Sequence, residues 1–324
     1  MLPNFTYLRA KTVTEAVRAL AAPGARLHAG GTDLLGCLRD GVFKADKLVS
    51  VSGVVALRGI TKAPTGGLRI GALTTLADVA ANKNIVRDYP ALAQAALAVG
   101  SPQLRNQGTI GGNVCQRPRC WYFRGDFHCL RKGGDTCYAM QGENRYHAIF
   151  GASACCMVHP SDTAVALVAL GARARITGPG GARTVPLSSF FVLPAKTVTA
   201  ETVLGRGEVL TDILLPAPEA RTKSAFRKVR SRGAWDFALA SVALALTADA
   251  TGVVTHAQVV LGAAAPTPWR AAGAEKALVG NKLTAELAAR AAQAAVEGAE
   301  PLSQNEYKVA LFKGIVEEQL LAMA

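Results

Sequence analysis

The chain has no apolar run long enough to cross a membrane. Its start, MLPNFTYLRAKTVTEAVRAL, lacks the basic stretch and apolar core of a secretory signal. Neither membrane insertion nor an export signal of its own is therefore expected. Two nucleotide signatures are also missing. No G-x-G-x-x-G opens a helix and no G-x4-G-K-[ST] occurs, so neither a Rossmann-type site nor a P-loop is predicted. Acidic residues are scarce, 23 against 36 Lys and Arg, which gives a net charge of +13. Such a balance suggests nucleic acid, but the basic residues are spread out, with no dense run and no interleaved aromatics. A partner's surface or an anionic cofactor accounts for the charge better. The remaining composition, 50% hydrophobic and 18% charged over 324 residues, is that of a globular chain with two or three domains.

What is present is concentrated. Of seven cysteines, only Cys37 stands apart; Cys115, Cys120, Cys129, Cys137, Cys155 and Cys156 fall within one segment. Val114 to Cys137, VCQRPRCWYFRGDFHCLRKGGDTC, shows neither helical nor strand periodicity. A long irregular segment inside a compact domain is usually functional or held by something, and thiolates around a metal centre would hold it. Spacing alone leaves several readings open. Cys37 reads as a buried free thiol, disulfides need an oxidising compartment, and structural zinc usually takes C-x2-C pairs, which are absent here. An iron–sulfur cluster tolerates looser spacing.

Along the chain, TVTEAVRALAA predicts an amphipathic helix with Thr12 or Thr14 as its cap. ARLHAGGTDLL predicts a strand, a glycine turn and a helix start. KLVSVSGV and LRIGALTTLADV repeat the strand-then-helix rhythm, the second with Thr74 or Thr75 near the cap. ALAQAALAVG reads as a buried helix, SDTAVALVALGARARI as a capped helix and then a strand, and GPGGAR as a hairpin turn. Long apolar segments turn at Thr251-Gly252, and helices are predicted near 283–298 and 305–323. The break at Pro216–Lys223 marks a domain boundary. The fold class predicted is α+β.

Two glycine turns carry the binding argument. Ala29-Gly30-Gly31-Thr32-Asp33 follows a strand and opens a helix; Gly108-Thr109-Ile110-Gly111-Gly112-Asn113 is a second such turn. Glycine lets backbone N–H groups approach an anion closely. Either turn alone could be a mere connection, but two of them flanking one folded region are better explained by a pyrophosphate held from two sides.

AGGTDLL, NQGTIGGN, PSDTAVALVALGA, AFRKVR with DFALA, and LGAAAPTPWRA occur in the order seen in FAD-binding subunits of the molybdenum hydroxylase (xanthine dehydrogenase) family. The likeness covers essentially the whole chain. The cysteine segment, RCWYF, CLRKGGDTC and a further cysteine before HPSDTA, resembles the inserted [4Fe–4S] loop of 4-hydroxybenzoyl-CoA reductase and of periplasmic aldehyde oxidoreductases. CQRPRCWYF and ENRYHAIFG bring it nearer to the latter; most relatives lack the loop.

The resemblance implies a two-part, PCMH-type FAD-binding domain over 1–218, divided at about residue 60, with a cluster-binding loop over 114–156. A C-terminal domain like that of the CO dehydrogenase flavoprotein would follow over 219–324. Leu27, His28, Ala29, Gly30, Gly31, Thr32, Asp33 and Leu34 resemble the first FAD loop. Val99, Gly100, Gly108, Thr109, Gly112 and Asn113 resemble the second. Ser161 and Asp162 match a pair that meets the flavin's polar chain, with Asp162 also a helix N-cap candidate. Leu210 falls where an apolar residue packs on the ring, and Lys228 where a lysine reaches the flavin. Cys120, Cys129, Cys137 and Cys155 match the cluster ligands; Cys155 is favoured over Cys156 by its distance from His159-Pro160-Ser161-Asp162. Cys115 is not expected to be a ligand, and His128 and His147 are expected to be solvated or hydrogen-bonded.

By the same resemblance, the function expected is electron transfer within a heterotrimeric aldehyde oxidoreductase. A large molybdenum-cofactor subunit would do the substrate chemistry, a small subunit would carry [2Fe–2S] clusters, and an external acceptor would take the electrons. The alternative is the FAD subunit of a 4-hydroxybenzoyl-CoA reductase-like or xanthine dehydrogenase-like enzyme. The compartment implied is the cytoplasm, or the periplasm if a partner bearing a twin-arginine signal exports the complex.

Overall fold

A computed structural model describes residues 1–324, organised by three sheets. In the first, β1 (Thr6–Arg9), β2 (Ala25–His28) and β3 (Lys47–Ser50) are parallel, with β3 central. Parallel strands cannot be joined by tight hairpins, so helices connect them: α1 (Val13–Leu20) follows β1 and α2 (Leu34–Arg39) follows β2. Thr12 caps α1, accepting from the Glu15 amide at 3.1 Å. The buried side of α1, Ala16, Val17 and Leu20, joins Val49 and Val51 in one apolar cluster. After β3 comes only a 3-10 turn, Val55–Leu57, in place of the expected helix. Gly53 and the β-branched Val54-Val55 favour little else there.

The second sheet is antiparallel throughout, in the order β4-β5-β8-β6-β7. Its strands are β4 (Ile60–Lys62), β5 (Leu68–Gly71), β6 (Arg173–Gly178), β7 (Gly181–Pro186) and β8 (Val209–Leu215). Between β5 and β6 run α3 (Leu76–Ala81), α4 (Lys83–Asp88), α5 (Pro90–Leu97), α6 (Pro102–Gln107), α7 (Ile110–Val114), the single turn α8 (Trp121–Arg124) and α9 (Asp162–Ala169). Thr75 is the cap of α3. The cap of α9 is Ser161, which accepts from the Ala164 amide at 3.0 Å, so Asp162 is the first helical residue and not the cap. Its carboxylate is thereby left for another partner.

The third sheet, β12-β11-β10-β9, comprises β9 (Thr222–Val229), β10 (Ala240–Ala248), β11 (Val254–Gly262) and β12 (Trp269–Arg270), all antiparallel. It is followed by α10 (Ala272–Leu278), α11 (Ala285–Ala294) and α12 (Tyr307–Leu321); α10 had no clear signal in the sequence. The alanine-rich α5 and α9 share one core cluster with Leu68 and Ile213 of the second sheet and Phe226, Ala243 and Val260 of the third. Small side chains let these helices lie close to both sheets. The architecture is α+β. No helix is long and apolar enough to cross a membrane.

The cysteine segment is tied to the C-terminal part by polar clamps. Asn305 Nδ2 donates to the carbonyls of His147 and Ala148 at 3.0 and 3.2 Å. Lys308, fully buried, donates from Nζ to the carbonyls of Ala263, His147 and Tyr146 at 2.7, 3.0 and 3.3 Å. Burial pulls the Lys308 ammonium down to about 7, below the unfolded value of about 10.4. Between these two values the unfolded chain binds the extra proton, so stability rises with pH across that window. The denaturation midpoint of the parent protein, relative to Lys308→Met, is expected to climb from pH 7 to pH 10. A difference that stays flat over that range would contradict the assignment.

Candidate functional site

The two glycine turns meet backbone to backbone. A Cβ at Gly30 would stand 2.1 Å from the Gln107 carbonyl oxygen, and Gln107 Nε2 donates to the Gly30 carbonyl at 3.1 Å. Gly31 has φ +75°, a left-handed conformation that glycine takes without strain. The first turn sits at the carboxyl end of β2, where open parallel sheets bind ligands. The amides of Gly30 to Leu34 donate to no protein acceptor, whereas those of Ile110 and Gly111 are spent on the Thr74 and Ala72 carbonyls, each at 2.9 Å. The Gly112 amide goes to Thr109 Oγ1 at 3.1 Å. The free anion donors therefore lie mostly on the first turn, joined by the Thr109 amide of the second, whose backbone comes close to them.

Two adjoining cavities flank this junction and share Thr32, Asp33, Thr109 and Gly112. One, of about 410 Å³, has apolar walls at Leu27, Leu57, Leu73, Leu204 and Leu210. The other, of about 430 Å³, is polar; it reaches Val99, Gly100, Gly108, Asn113, Asp162 and Lys228. Ala29, Gly30, Gly31 and Leu34 line the first cavity. The exposed Trp235, at φ +51°, donates its amide to the Gly100 carbonyl at 3.0 Å and forms a lip with Phe237. The groove thus runs from an apolar slot, past unpaired amides, to a charged end lined by both signs. It suits a flat ring, a diphosphate and a second polar moiety in that order.

His28 and Ser161 stand outside the groove walls. His28 packs edge-on against Tyr7, and Ser161 lines a neighbouring cavity of about 460 Å³ with Trp121, Tyr146 and Phe237. Ser161 still shapes the groove: it and Thr163 donate to Asn113 Oδ1, each at 2.6 Å, which fixes the end of the second turn. Lys228 Nζ pairs with Asp162 Oδ2 at 2.7 Å, both buried. Burial raises the Asp162 pKa, and the lysine opposes that rise.

Cys120, Cys129, Cys137 and Cys155 line one small cavity with Phe123, Arg131 and Met157. Cys156 lies outside its wall, fully buried, 3.8 Å from Cys137 Sγ. His147 Nε2 is 3.2 Å from Cys120 Sγ, so this histidine is bonded rather than solvated. Burial pushes the Cys120 thiol up to about 12, so without a metal it is neutral at pH 7. A bound metal would draw it to the thiolate. Nowhere are three His, Cys, Asp or Glu side chains grouped closely enough to hold a single metal ion. An iron–sulfur cluster spaces its thiolates more widely than one ion does; the four cysteines offer the donors it takes, around a cavity of about 20 Å³.

The sequence reading missed what joins cavity and groove. Asp33 accepts from the Arg117 amide at 2.8 Å and from Arg124 Nη2 at 2.6 Å, and pairs with Arg119 at 2.9 Å. Glu201 pairs with Arg117 at 2.9 Å and with Arg131 at 2.6 Å. Two carboxylates thereby pair with four arginines of the cysteine segment and offset only part of their charge. Glu201 lies in a stretch, PAKTVTAETVLG, with no pattern to single it out.

The groove and its donors define a subunit built around a flavin nucleotide. The family model described as the FAD binding domain in molybdopterin dehydrogenase matches residues 3–218, and that of the CO dehydrogenase flavoprotein C-terminal domain matches 224–323. The chain is 39% identical to the aldehyde oxidoreductase FAD-binding subunit PaoB of Escherichia coli K12, over 95% of both chains. It is 29% identical to the carbon monoxide dehydrogenase medium chain of Hydrogenophaga pseudoflava, over 99% of this chain and 97% of that one. Among solved structures, carbon monoxide dehydrogenase from that organism superposes with a TM-score of 0.78 at 29% identity, covering 100% and 99% of the two chains. The chain belongs to the FAD-binding subunits of the molybdenum hydroxylase family, and is an oxidoreductase subunit.

Proposed function

We propose that this chain is the FAD- and [4Fe–4S]-carrying electron-transfer subunit of a heterotrimeric, molybdenum-dependent aldehyde oxidoreductase. The likeness to an aldehyde oxidoreductase FAD-binding subunit over nearly the full length of both chains carries the reading. The meeting of Cys120, Cys129, Cys137 and Cys155 at one cavity supports the cluster. The unpaired amides of Gly30 to Leu34 take the diphosphate, Leu210 packs on the ring, and Lys228 reaches the flavin. Bound there, FAD supplies a carrier that accepts electrons and passes them on. The protein orients it: Asn113 is fixed by Ser161 and Thr163, and Lys228 is held by Asp162. Electrons arrive from [2Fe–2S] clusters of a small partner, substrate chemistry belongs to a large molybdenum-cofactor partner, and an external acceptor removes the electrons. The complex works in the cytoplasm, or in the periplasm when a partner exports it.

The test is cofactor and activity analysis of the chain purified anaerobically with its co-purifying partners. FAD released by acid precipitation is expected, with iron and sulfide in a four-to-four ratio beyond the partner's share. The isolated chain should bind FAD yet fail to oxidise aldehydes. Aldehyde oxidation by this chain alone, free of molybdenum, would overturn the proposal.

A further inference from the structure

Arg131 lies in the wall of the cysteine cavity with its side chain only 2% exposed. One nitrogen is accounted for: Nη1 donates to Glu201 Oε1 at 2.6 Å and to the Ala200 carbonyl at 3.4 Å. Its Nε and Nη2 are buried with no hydrogen-bond partner. Folded proteins leave few buried donors unpaired, and a guanidinium cannot shed its proton to escape the cost. The acceptors at hand are sulfur: Cys120, Cys129, Cys137 and Cys155 line the same cavity as Arg131. Nor is its charge cancelled locally, since Glu201 is shared with Arg117 at 2.9 Å. Two cations meet one carboxylate, and an excess positive charge remains in the wall of a cavity lined otherwise by thiols and apolar or aromatic side chains.

We infer that Arg131 is a positioning residue for the iron–sulfur cluster, donating from Nε and Nη2 to its sulfur atoms and holding its reduction potential up. The inference rests on the cluster proposed above. Hydrogen bonds to sulfur and local charge both set the potential of such centres, and an anionic cluster gains most from a buried cation when it takes up an electron. Glu201 works against this by offsetting the charge, and it also joins the cavity to the groove, since Glu201 and Arg117 both line the apolar slot.

An EPR-monitored redox titration of the cluster, in the complex as purified, tests the two residues in opposite directions. Arg131→Gln is expected to shift the reduction equilibrium at least tenfold toward the oxidised form, a fall of about 59 mV for one electron. Glu201→Gln, nearly isosteric, is expected to move it the other way, because the offsetting charge is gone. A merely structural pair would change iron content in both variants and potential in neither. Unchanged potentials with iron retained overturn the inference alone. Absence of iron from this chain in the parent complex overturns the cluster reading and the inference with it. If Arg131→Gln loses its iron, Glu201→Gln decides: a rise supports the inference, and no change or a fall overturns it.

Discussion

Gly30→Ala is expected to strip the subunit of FAD. The added Cβ would stand 2.1 Å from the Gln107 carbonyl oxygen and 3.0 Å from its carbon. Both are backbone atoms, so no side-chain rotation relieves the clash. The two turns must separate, and the free amides of Gly30 to Leu34 move off the second turn. Overpacking of this kind costs about 1–3 kcal/mol. Because the displaced donors are the ones that meet the diphosphate, FAD affinity should fall about fivefold to a hundredfold, at 1.4 kcal/mol per factor of ten. The flavin-to-protein ratio after gel filtration reads this directly. Gly314→Ala is the control: Gly314 lies within α12 with nothing near its added Cβ, and a helix-interior alanine should add about 0.5–1 kcal/mol of stability. A Gly30→Ala protein with full flavin content would show that the turn does not bind the cofactor.

Serine replacements in the cysteine cavity should divide the chain's cysteines into two sets. Cys120→Ser, Cys129→Ser, Cys137→Ser and Cys155→Ser are expected to lose most of the iron, whereas Cys37→Ser and Cys156→Ser keep it. Apart from the clamps that Asn305 and Lys308 place on residues 146–148, the segment has little else to order it. Its own apolar cluster is small, Phe123 and Cys129 with Cys37 and Val42, and its arginines depend on Asp33 and Glu201. Binding free energy at such a site is folding free energy, so the four ligand variants should also be cleaved faster by protease between residues 115 and 160. Arg117, Arg119 and Arg124 line the groove, so a loosened segment should weaken FAD binding too, by less than Gly30→Ala does. Iron loss in Cys156→Ser with retention in Cys155→Ser would move the fourth ligand by one residue, and zinc without iron in anaerobic protein would refute the cluster.

Much of the fold was legible because its signals are local. Thr12 and Thr75 cap the helices they precede, the turn at Thr251-Gly252 joins β10 to β11, and the closing helices lie within the expected spans. Capping, turn chemistry and apolar periodicity act within a few residues, so a sequence displays them. The short segments were less clear: Val55–Leu57 is a 3-10 turn, and Trp121–Arg124 forms a single helical turn inside the stretch that reads as irregular. In pieces that short, contacts outweigh propensity.

By itself the sequence determined the class of ligand, through two glycine-rich turns, and the presence of a coreless segment rich in cysteine. Both depend on residue type, on what glycine permits and on what thiols bind. Tertiary structure alone decided that the two turns touch, that the first keeps its amides free while most of the second's are spent, and that Ser161 rather than Asp162 caps α9, leaving Asp162 to pair with Lys228. It also decided that Arg131, Glu201 and Arg117 form a chain from the cysteine cavity to the groove. Arg131 and Glu201 are 70 positions apart, and no local pattern marks such a pair. Their pairing is enforced by burial, because a guanidinium removed from water needs a carboxylate within hydrogen-bond reach.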